Sequence, residues 1–178
     1  MFVEAESALS FVELVREYQH MVFSLALHFL RDRETAEELA QDVFLLLYRK
    51  LDELESRDHV RFWLRRVTSH RCIDEARKRK LRPKFNLQDI SEPAARRTAA
   101  DPFLSDQLQR LITALPERAR MVVILRFQED MDPAEIAETV GLPVSTIKSL
   151  LHRSLITLRE KMRRRLQNTN SRVQEANG

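Results

Sequence analysis

Residues 132–159 read DPAEIAETVGLPVSTIKSLLHRSLITLR, and this stretch decides the fold of the C-terminal part of the chain. Asp132 is followed by Pro133 and then by Glu135, a pattern that is typical of a helix N-terminus. Gly141 comes after a short helical segment and can adopt the positive φ of a tight turn. Pro143 is well placed to open the next helix. The stretch therefore predicts a helix-turn-helix, whose second helix can enter the major groove of DNA.

The second helix of this motif has two faces when residues are placed at about 100° intervals. Its apolar face contains Ile147, Leu151, Ser154, Leu155, Leu158 and Met162. Its polar face contains Lys148, Ser149, His152, Arg153 and Ile156. Basic and hydroxyl-bearing side chains suit phosphates and base edges, so we interpret the polar face as DNA-binding. The alternative is an ordinary solvated face of an amphipathic helix.

The composition favours an all-α protein, because the 178 residues include two glycines. The single cysteine, Cys72, excludes an internal disulfide framework and suits a reducing cytosol. Five histidines with that lone thiol make no zinc spacing, so we expect no metal and no cofactor. The N-terminus lacks the basic start of a signal peptide, and the longest apolar run, residues 21–30, is too short to span a bilayer. We therefore expect a cytoplasmic protein with no membrane insertion.

Charge is strongly segregated along the chain, although the formal net charge is only +3. Residues 1–60 hold 6 basic and 13 acidic side chains, whereas residues 61–84 hold 10 basic and 2 acidic ones. Residues 144–178 are basic again, with 8 basic and 2 acidic side chains. Two separated basic blocks predict two contacts with a polyanion. The acidic block would be repelled by the same polyanion, so we expect it to face a protein.

Apolar periodicity predicts two small helical domains. Helices at about 9–30, 34–51 and 60–80 form a three-helix domain over residues 1–82. Helices near 105–114, 117–127, 133–140 and 144–165 form a four-helix domain over residues 105–167. Prolines punctuate residues 83–104, which we interpret as a flexible linker, and residues 168–178 are predicted to be a disordered tail.

The helix predicted at 34–51 offers a candidate docking surface for a protein. Opposite its apolar stripe it groups Glu38, Gln41, Asp42 and Leu45. Single exposed leucines are common and usually bind nothing. A leucine surrounded by carboxylates is nevertheless a candidate for docking a basic partner.

The segment 59–80, HVRFWLRRVTSHRCIDEARKRK, interleaves aromatic and arginine side chains. Rings stack on unpaired bases and guanidinium groups neutralise phosphates, so this composition suits a site for single-stranded nucleic acid. Phe62 and Trp63 are alternatively core anchors of the three-helix domain, and for Trp63 we favour that interpretation.

These segments together resemble the extracytoplasmic-function group of bacterial sigma factors, the promoter-recognising subunits of RNA polymerase. The resemblance runs from about residue 11 to residue 162, apart from the linker. It rests on ETAEELAQDVFLLLYRKL at 34–51, FWLRRVTSHRCIDEARKRK at 62–80, LPERARMVVILRF at 115–127 and the helix-turn-helix. It implies that residues 1–82 are sigma region two and residues 105–167 are sigma region four. It also implies a non-enzymatic protein that directs core polymerase to specific promoters and helps to open their −10 region.

The resemblance further implies partners and residue roles. The surface of Glu38, Gln41, Asp42 and Leu45 is similar to the one that docks on the β′ coiled coil of core polymerase. The loop near residues 56–61 and the helix after it resemble the part that captures the −10 element as single strand, which implies DNA contacts at Arg61, Arg65, Arg66, Ser69 and His70. The −35 element would be contacted by Lys148, Ser149, His152 and Arg153, with Arg126 on the phosphate backbone. The polymerase β flap and an anti-sigma protein are the further partners that the resemblance suggests.

Two residues depart from the pattern of the group. His70 stands where asparagine is frequent, at the position of a flipped-out base. Leu150 stands where arginine is frequent, which predicts one phosphate contact fewer and a salt slope smaller by about one unit.

Two other classes of function stay open from the residues alone. A free-standing helix-turn-helix regulator, whose N-terminal domain binds an effector or dimerises, explains residues 115–165 but leaves the segment 59–80 without a role. An enzyme acting on nucleic acid, such as a recombinase, needs catalytic groups. The sequence contains no carboxylate cluster with metal spacing, no nucleophile–base pair and no glycine-rich phosphate loop.

Overall fold

The computed structural model describes the backbone of residues 10–81 and 102–176, and the side chains of residues 10–81 and 106–167. Within those ranges the chain forms seven α-helices and one 3₁₀ turn, with no strand. The helices are α1 (Phe11–Leu30), α2 (Arg33–Lys50), α3 (Arg57–Leu81), α4 (Pro102–Thr113), α5 (Glu117–Phe127), α6 (Pro133–Val140) and α7 (Val144–Ala176). The 3₁₀ turn, Leu51–Glu53, follows α2. The predicted all-α class is confirmed.

The chain divides into two compact units. The first unit contains α1, α2 and α3, and the second contains α4, α5, α7 and most of α6. The predicted flexible linker falls mainly on residues 82–101, which lie outside the described residues. Its predicted end at residue 104 is too late, because α4 already begins at Pro102. Proline is well tolerated at the first position of a helix, where its missing N–H has no partner to lose.

In the first unit, α1 packs against α2 and α3, and α2 packs against α3. Each helix turns one apolar stripe inward, so that Val22, Val43 and Leu64 are fully buried in the common core. Arg31 ends α1 in the left-handed region, with a φ of 58°, and its N–H donates to the carbonyl of Leu27. This residue reverses the chain within a two-residue connection to α2.

Asp32 begins α2 and also holds the far end of α3. One of its carboxylate oxygens accepts a hydrogen bond from the N–H of Thr35 at 3.1 Å, and the other accepts one from Nη2 of Arg79 at 2.8 Å. Burial raises the pKa of Asp32, but the hydrogen bonds from Thr35 and Arg79 lower it by more, so the net shift is downward. The carboxylate form of Asp32 is therefore stabilised by the fold.

In the second unit, the core joins α4, α5 and α7 around Leu111, Leu115, Ala119, Val123 and Leu158. Helix α5 is buried on all sides over two turns, since its seven consecutive residues 119–125 are all buried.

Arg120 is buried beside this cluster, which is unusual for a charged side chain. Its guanidinium donates hydrogen bonds to the carbonyls of Thr113 and Leu115, where α4 ends. Burial lowers the pKa of Arg120 and the nearby Glu117 raises it, with a net downward shift. The residue therefore joins α5 to the end of α4.

The last helix is longer than predicted, because α7 continues to Ala176 instead of ending near residue 165. The interpretation of residues 168–178 as a disordered tail is therefore wrong up to residue 176. The segment 144–176 contains neither proline nor glycine, so nothing in its chemistry stops the helix. The other predicted helix ends lie within three residues of those observed.

Candidate functional site

The helix-turn-helix is stabilised at its start by a reciprocal cap. The Oδ1 atom of Asp132 accepts hydrogen bonds from the N–H groups of Ala134 and Glu135, at 2.7 and 2.9 Å. The Oε2 atom of Glu135 accepts one from the N–H of Asp132 at 2.8 Å. Four residues of local sequence thus satisfy the donors that open α6, as the pattern predicts.

The turn between the two helices of the motif depends on Gly141, whose φ is 68°. The N–H of Leu142 donates to the carbonyl of Ala137 and closes α6. The carbonyl of Pro143 then accepts from the N–H of Ile147 and so starts α7. The prediction of a helix-turn-helix is confirmed in its cap, its turn, the bounds of α6 and the start of α7.

The outward face of α7 carries the four side chains that were predicted to contact the −35 element. Lys148, Ser149, His152 and Arg153 are all exposed, and Nε of Arg153 donates to the carbonyl of Ser149 at 3.3 Å. Leu155 was predicted on the buried face but is 42% exposed, so that assignment is wrong. The buried stripe through Ser154 and Leu158 is narrower than the angular projection suggests.

Arg126, which was predicted to contact a phosphate, has partners within the second unit. Its Nη1 atom donates to the carbonyl of Met131 at 3.1 Å and lies 3.6 Å from Oδ1 of Asp130. Asp130 adopts a positive φ of 50°, so the connection from α5 to α6 bends sharply there. Arg126 braces this connection, and its contact with DNA stays a prediction.

The outward face of α2 carries the four residues that were predicted to bind the polymerase. Glu38, Gln41 and Asp42 are exposed, and Leu45 is 58% exposed beside them. The Oδ2 atom of Asp42 lies 3.4 Å from Nη1 of Arg71 on α3. The predicted exposure of an apolar side chain among acids is confirmed.

The sequence interpretation missed Tyr48, which continues this exposed face one turn further along α2. Its side chain is 65% exposed, and its ring packs edge-on against the ring of Phe11, with 5.2 Å between centroids. The spacing of three residues from Leu45 was the available signal, since residues three apart share a helix face.

A polar groove of about 680 Å³ lies between α2 and α3. Its walls include Glu38 and Asp42 from α2, and Arg71 and Lys78 from α3. The groove therefore brings acidic side chains of α2 close to basic side chains of α3. Across the part of the chain that the structure describes, no group of His, Cys, Asp and Glu side chains is arranged to hold a metal ion.

Helix α3 carries the residues that were predicted to contact the −10 element. Arg61, Arg66 and His70 are exposed, and Arg65 is half-buried. Ser69 departs from this set because its side chain is fully buried, so its hydroxyl does not lie at the described surface. Its burial depends on how α3 packs, which the charge pattern of the segment does not reveal. Phe62 and Trp63 are both half-buried. Their exposure therefore does not decide between rings that stack on bases and rings that anchor the core.

No helix within residues 10–81 and 102–176 combines the length and the apolar character needed to cross a membrane.

Two family models match the chain, one for each unit. The model described as Sigma-70 region 2 matches residues 14–82, and the model described as Sigma-70, region 4 matches residues 105–158. Together they include α1 to α3 and the helix-turn-helix, but not the segment between the units.

Relatives match across most of the length of the chain. The RNA polymerase sigma-E factor of Streptomyces avermitilis is 32% identical over 159 residues, which cover 88% of this chain and 87% of that protein. The ECF RNA polymerase sigma factor SigW of Bacillus subtilis is 27% identical over 169 residues, covering 86% and 89%.

A solved structure shares the fold. The sigma factor RpoE of Bartonella quintana, in complex with the anti-sigma factor NepR, superposes with a TM-score of 0.70. The match is 19% identical in sequence and covers 84% of this chain and 94% of that one.

Proposed function

The chain belongs to the extracytoplasmic-function group of bacterial RNA polymerase sigma factors, and from that membership we propose how its surfaces divide the work. A member of this group directs core RNA polymerase to promoter DNA and so initiates transcription. The first unit would bind the polymerase and the −10 element, and the second unit would bind the −35 element. This division assigns one task to each exposed charged face described above.

The outward face of α2 would dock on the β′ coiled coil of core polymerase. The observation that carries this assignment is Leu45, 58% exposed beside the exposed side chains of Glu38, Gln41 and Asp42. Burial of Leu45 against a partner would contribute affinity. The acidic side chains around it would favour a partner with a basic surface. A free-standing regulator has no need of such a face on the unit that lacks the helix-turn-helix.

The exposed side chains of α3 would hold the −10 element as single strand. Arg61, Arg65, Arg66 and His70 supply charge and hydrogen bonds, and the half-buried Phe62 and Trp63 leave ring surface accessible. Opening DNA costs a few kcal/mol for each base that leaves the stack, and stacking on protein returns about 1–3 kcal/mol. Capture of unstacked bases would therefore supply much of the free energy for opening. The buried Ser69 is left out of this proposed set.

The outward face of α7 would read the −35 element in the major groove. Lys148, Ser149, His152 and Arg153 project from the N-terminal half of α7, the part of a recognition helix that contacts base edges. Arg126 would add a phosphate contact from its place beside the turn into α6.

We further propose that the chain acts as a polymerase subunit with no catalysis of its own, inside the cell where the polymerase works. The β flap of the polymerase would engage the second unit. RpoE of Bartonella quintana was solved with an anti-sigma factor, and a regulatory protein of the same kind is a natural partner for this chain.

The proposal is tested by reconstitution with core RNA polymerase. The purified chain should form a complex with core enzyme and start transcripts at a restricted set of promoters. Asp42→Arg should weaken the complex at least tenfold, because it places a cation at the centre of a face that is proposed to bind a basic partner. Affinity is measured by fluorescence anisotropy of the labelled chain, and folding by circular dichroism.

Glu37→Arg is the matched control, since Glu37 is also exposed on α2 but lies about 140° around the helix from Asp42. It should leave polymerase affinity within about twofold of the unsubstituted chain. Tight duplex binding without polymerase, together with an inert Asp42→Arg, would favour the free-standing regulator instead. Metal-dependent cleavage of DNA would favour the enzyme.

A further inference from the structure

Helix α3 begins at Arg57, three residues before its predicted start at Val60, and its first turn is held in place by its own cap. The hydroxyl of Ser56 accepts a hydrogen bond from the N–H of His59 at 3.2 Å. The carbonyl of Ser56 accepts one from the N–H of Val60 at 2.9 Å. These local contacts begin the helix, but they do not tie its first turn to another helix.

A second set of contacts ties this turn to α1. Nη2 of Arg57 donates to Oε2 of Glu13 at 3.0 Å, and Nη1 of Arg57 donates to Oε2 of Glu17. The hydroxyl of Tyr18, a buried residue, donates to the backbone carbonyl of Arg57 at 3.3 Å. We call Glu13, Glu17, Tyr18 and Arg57 the α1–α3 clamp. Three residues of α1 thus hold both the side chain and the backbone carbonyl of Arg57.

Electrostatics support the clamp as a preformed element. Hydrogen bonds from the Arg57 guanidinium to Glu17 and Glu13 raise the pKa of Arg57. Burial and the neighbouring Glu17 raise the pKa of Tyr18, so its hydroxyl keeps the proton that it donates. Arg57 and Tyr18 therefore both keep the protons that they donate.

The clamp separates Arg57 from the other arginines of α3. A guanidinium whose two ends are each engaged by a carboxylate has few donors left for a phosphate. Arg61, one turn further on, forms its ion pair with Asp58 of the same helix, at 3.1 Å, and both side chains are well exposed. Arg61 would give up one exposed carboxylate for DNA, whereas Arg57 would have to give up two, both on α1.

We propose that Arg57 is a positioning residue for capture of the −10 strand. The α1–α3 clamp fixes the first turn of α3, so that Arg61 and the side chains after it meet the single strand already in place. This inference rests on the proposed function of α3. It assigns to Glu13, Glu17 and Tyr18, which lie on α1, an effect on strand opening without any contact with DNA.

The decisive variant is Glu13→Gln with Glu17→Gln, because two interpretations of Arg57 predict opposite signs. If Arg57 positions α3, loss of both carboxylates should slow open-complex formation by about threefold to tenfold, as expected for two exposed ion pairs. If Arg57 itself binds DNA, the same change releases its guanidinium and should speed opening. Holoenzyme made with core polymerase is followed on a duplex promoter by permanganate reactivity of unpaired thymines.

Salt dependence is a second measurement. It distinguishes a residue that contacts a phosphate from one that only positions α3. Arg61→Ala should reduce the slope of log affinity against log salt by about one unit, since it removes a phosphate contact. Arg57→Ala should weaken binding to a pre-opened promoter while leaving that slope unchanged. Arg57→Lys keeps one charge but not the fork that reaches both carboxylates, so its opening rate should lie between Arg57→Ala and the unsubstituted chain.

Glu37→Gln is the control for general loss of negative charge, because Glu37 pairs with Arg33 within α2 at 2.8 Å. It should open the promoter at the normal rate. The inference is overturned if Glu13→Gln with Glu17→Gln opens at the normal rate or faster, or if Arg57→Ala lowers the salt slope. An unsubstituted chain that opens no promoter with core polymerase overturns the proposed function itself.

Discussion

The two units differ in the sequence separation of the contacts that hold their helix ends. In the second unit, the start of the helix-turn-helix depends on Asp132 and Glu135, which are three residues apart. In the first unit, the ends of α3 depend on Arg57 with Glu13, 44 residues apart, and on Arg79 with Asp32, 47 residues apart. A helix-turn-helix can therefore be started by local contacts, whereas both ends of α3 also depend on contacts with other helices.

The largest effect is expected from the core that supports the local motif. Ile147→Ala should destabilise the second unit by about 2–5 kcal/mol, because Ile147 is fully buried where α7 begins. Chemical denaturation followed by circular dichroism measures the change. Ile156→Ala, at an exposed position of the same helix, should stay within about 0.5 kcal/mol. Equal losses for the two variants would show that α7 is not packed as described.

A smaller effect separates the two aspartates that begin helices. Asp132→Ala removes a local cap and should cost about 1 kcal/mol. Asp32→Ala removes a cap together with the hydrogen bond from Arg79, and should cost about 2 kcal/mol. Asp32→Asn should fall between them. If Asp32→Ala and Asp132→Ala cost the same, the long-range contact of Asp32 adds nothing to stability.

The contribution of Asp32 to the stability of the first unit should also depend on pH. Because the folded pKa of Asp32 is lowered from 3.8, its carboxylate contributes stability above that pH. The contribution should disappear as pH falls from 3.8 through the lower folded pKa. The stability difference between the unsubstituted chain and Asp32→Asn should therefore shrink in acid, in urea titrations at successive pH values. A difference that grows in acid would contradict the lowered pKa.

An effect similar in size to that of Asp132→Ala is expected at the turn of the helix-turn-helix. Gly141→Ala should cost about 1 kcal/mol, because alanine is strained at a φ of 68°. An added Cβ would meet no atom within 4 Å, so the cost is conformational and not steric. Thermal unfolding of this variant beside Ala134→Gly, on the exposed first turn of α6, measures it. A neutral Gly141→Ala would mean that the turn relaxes to a negative φ.

Sequence reasoning succeeded where the deciding contacts lie within a few residues. The bounds of α6 agree with the prediction, since Asp132 and Pro133 mark its start and Gly141 marks its end. The exposed Leu45 on α2 also follows from a single helical period. In these places the 3.6-residue repeat and the backbone preferences of proline and glycine are sufficient.

It fell short where a side chain's surroundings come from another helix. Nothing in the segment 59–80 distinguishes the buried Ser69 from its exposed neighbour His70. The engagement of Arg57 by α1 is equally hidden, because arginines in a basic run look alike until the helices pack. The continuation of α7 to Ala176 was missed for a different reason: polar composition was taken as disorder where no helix-breaking residue is present.

The hydrogen bonds of the buried Arg120 couple the movement of α4 to that of α5. Separating α4 from α5 would break both hydrogen bonds of the guanidinium and leave two carbonyls without this donor. We therefore expect α4 and α5 to move together as one rigid element. A force applied to α4 is delivered to α5, and from there to the bend that leads into the DNA-reading motif.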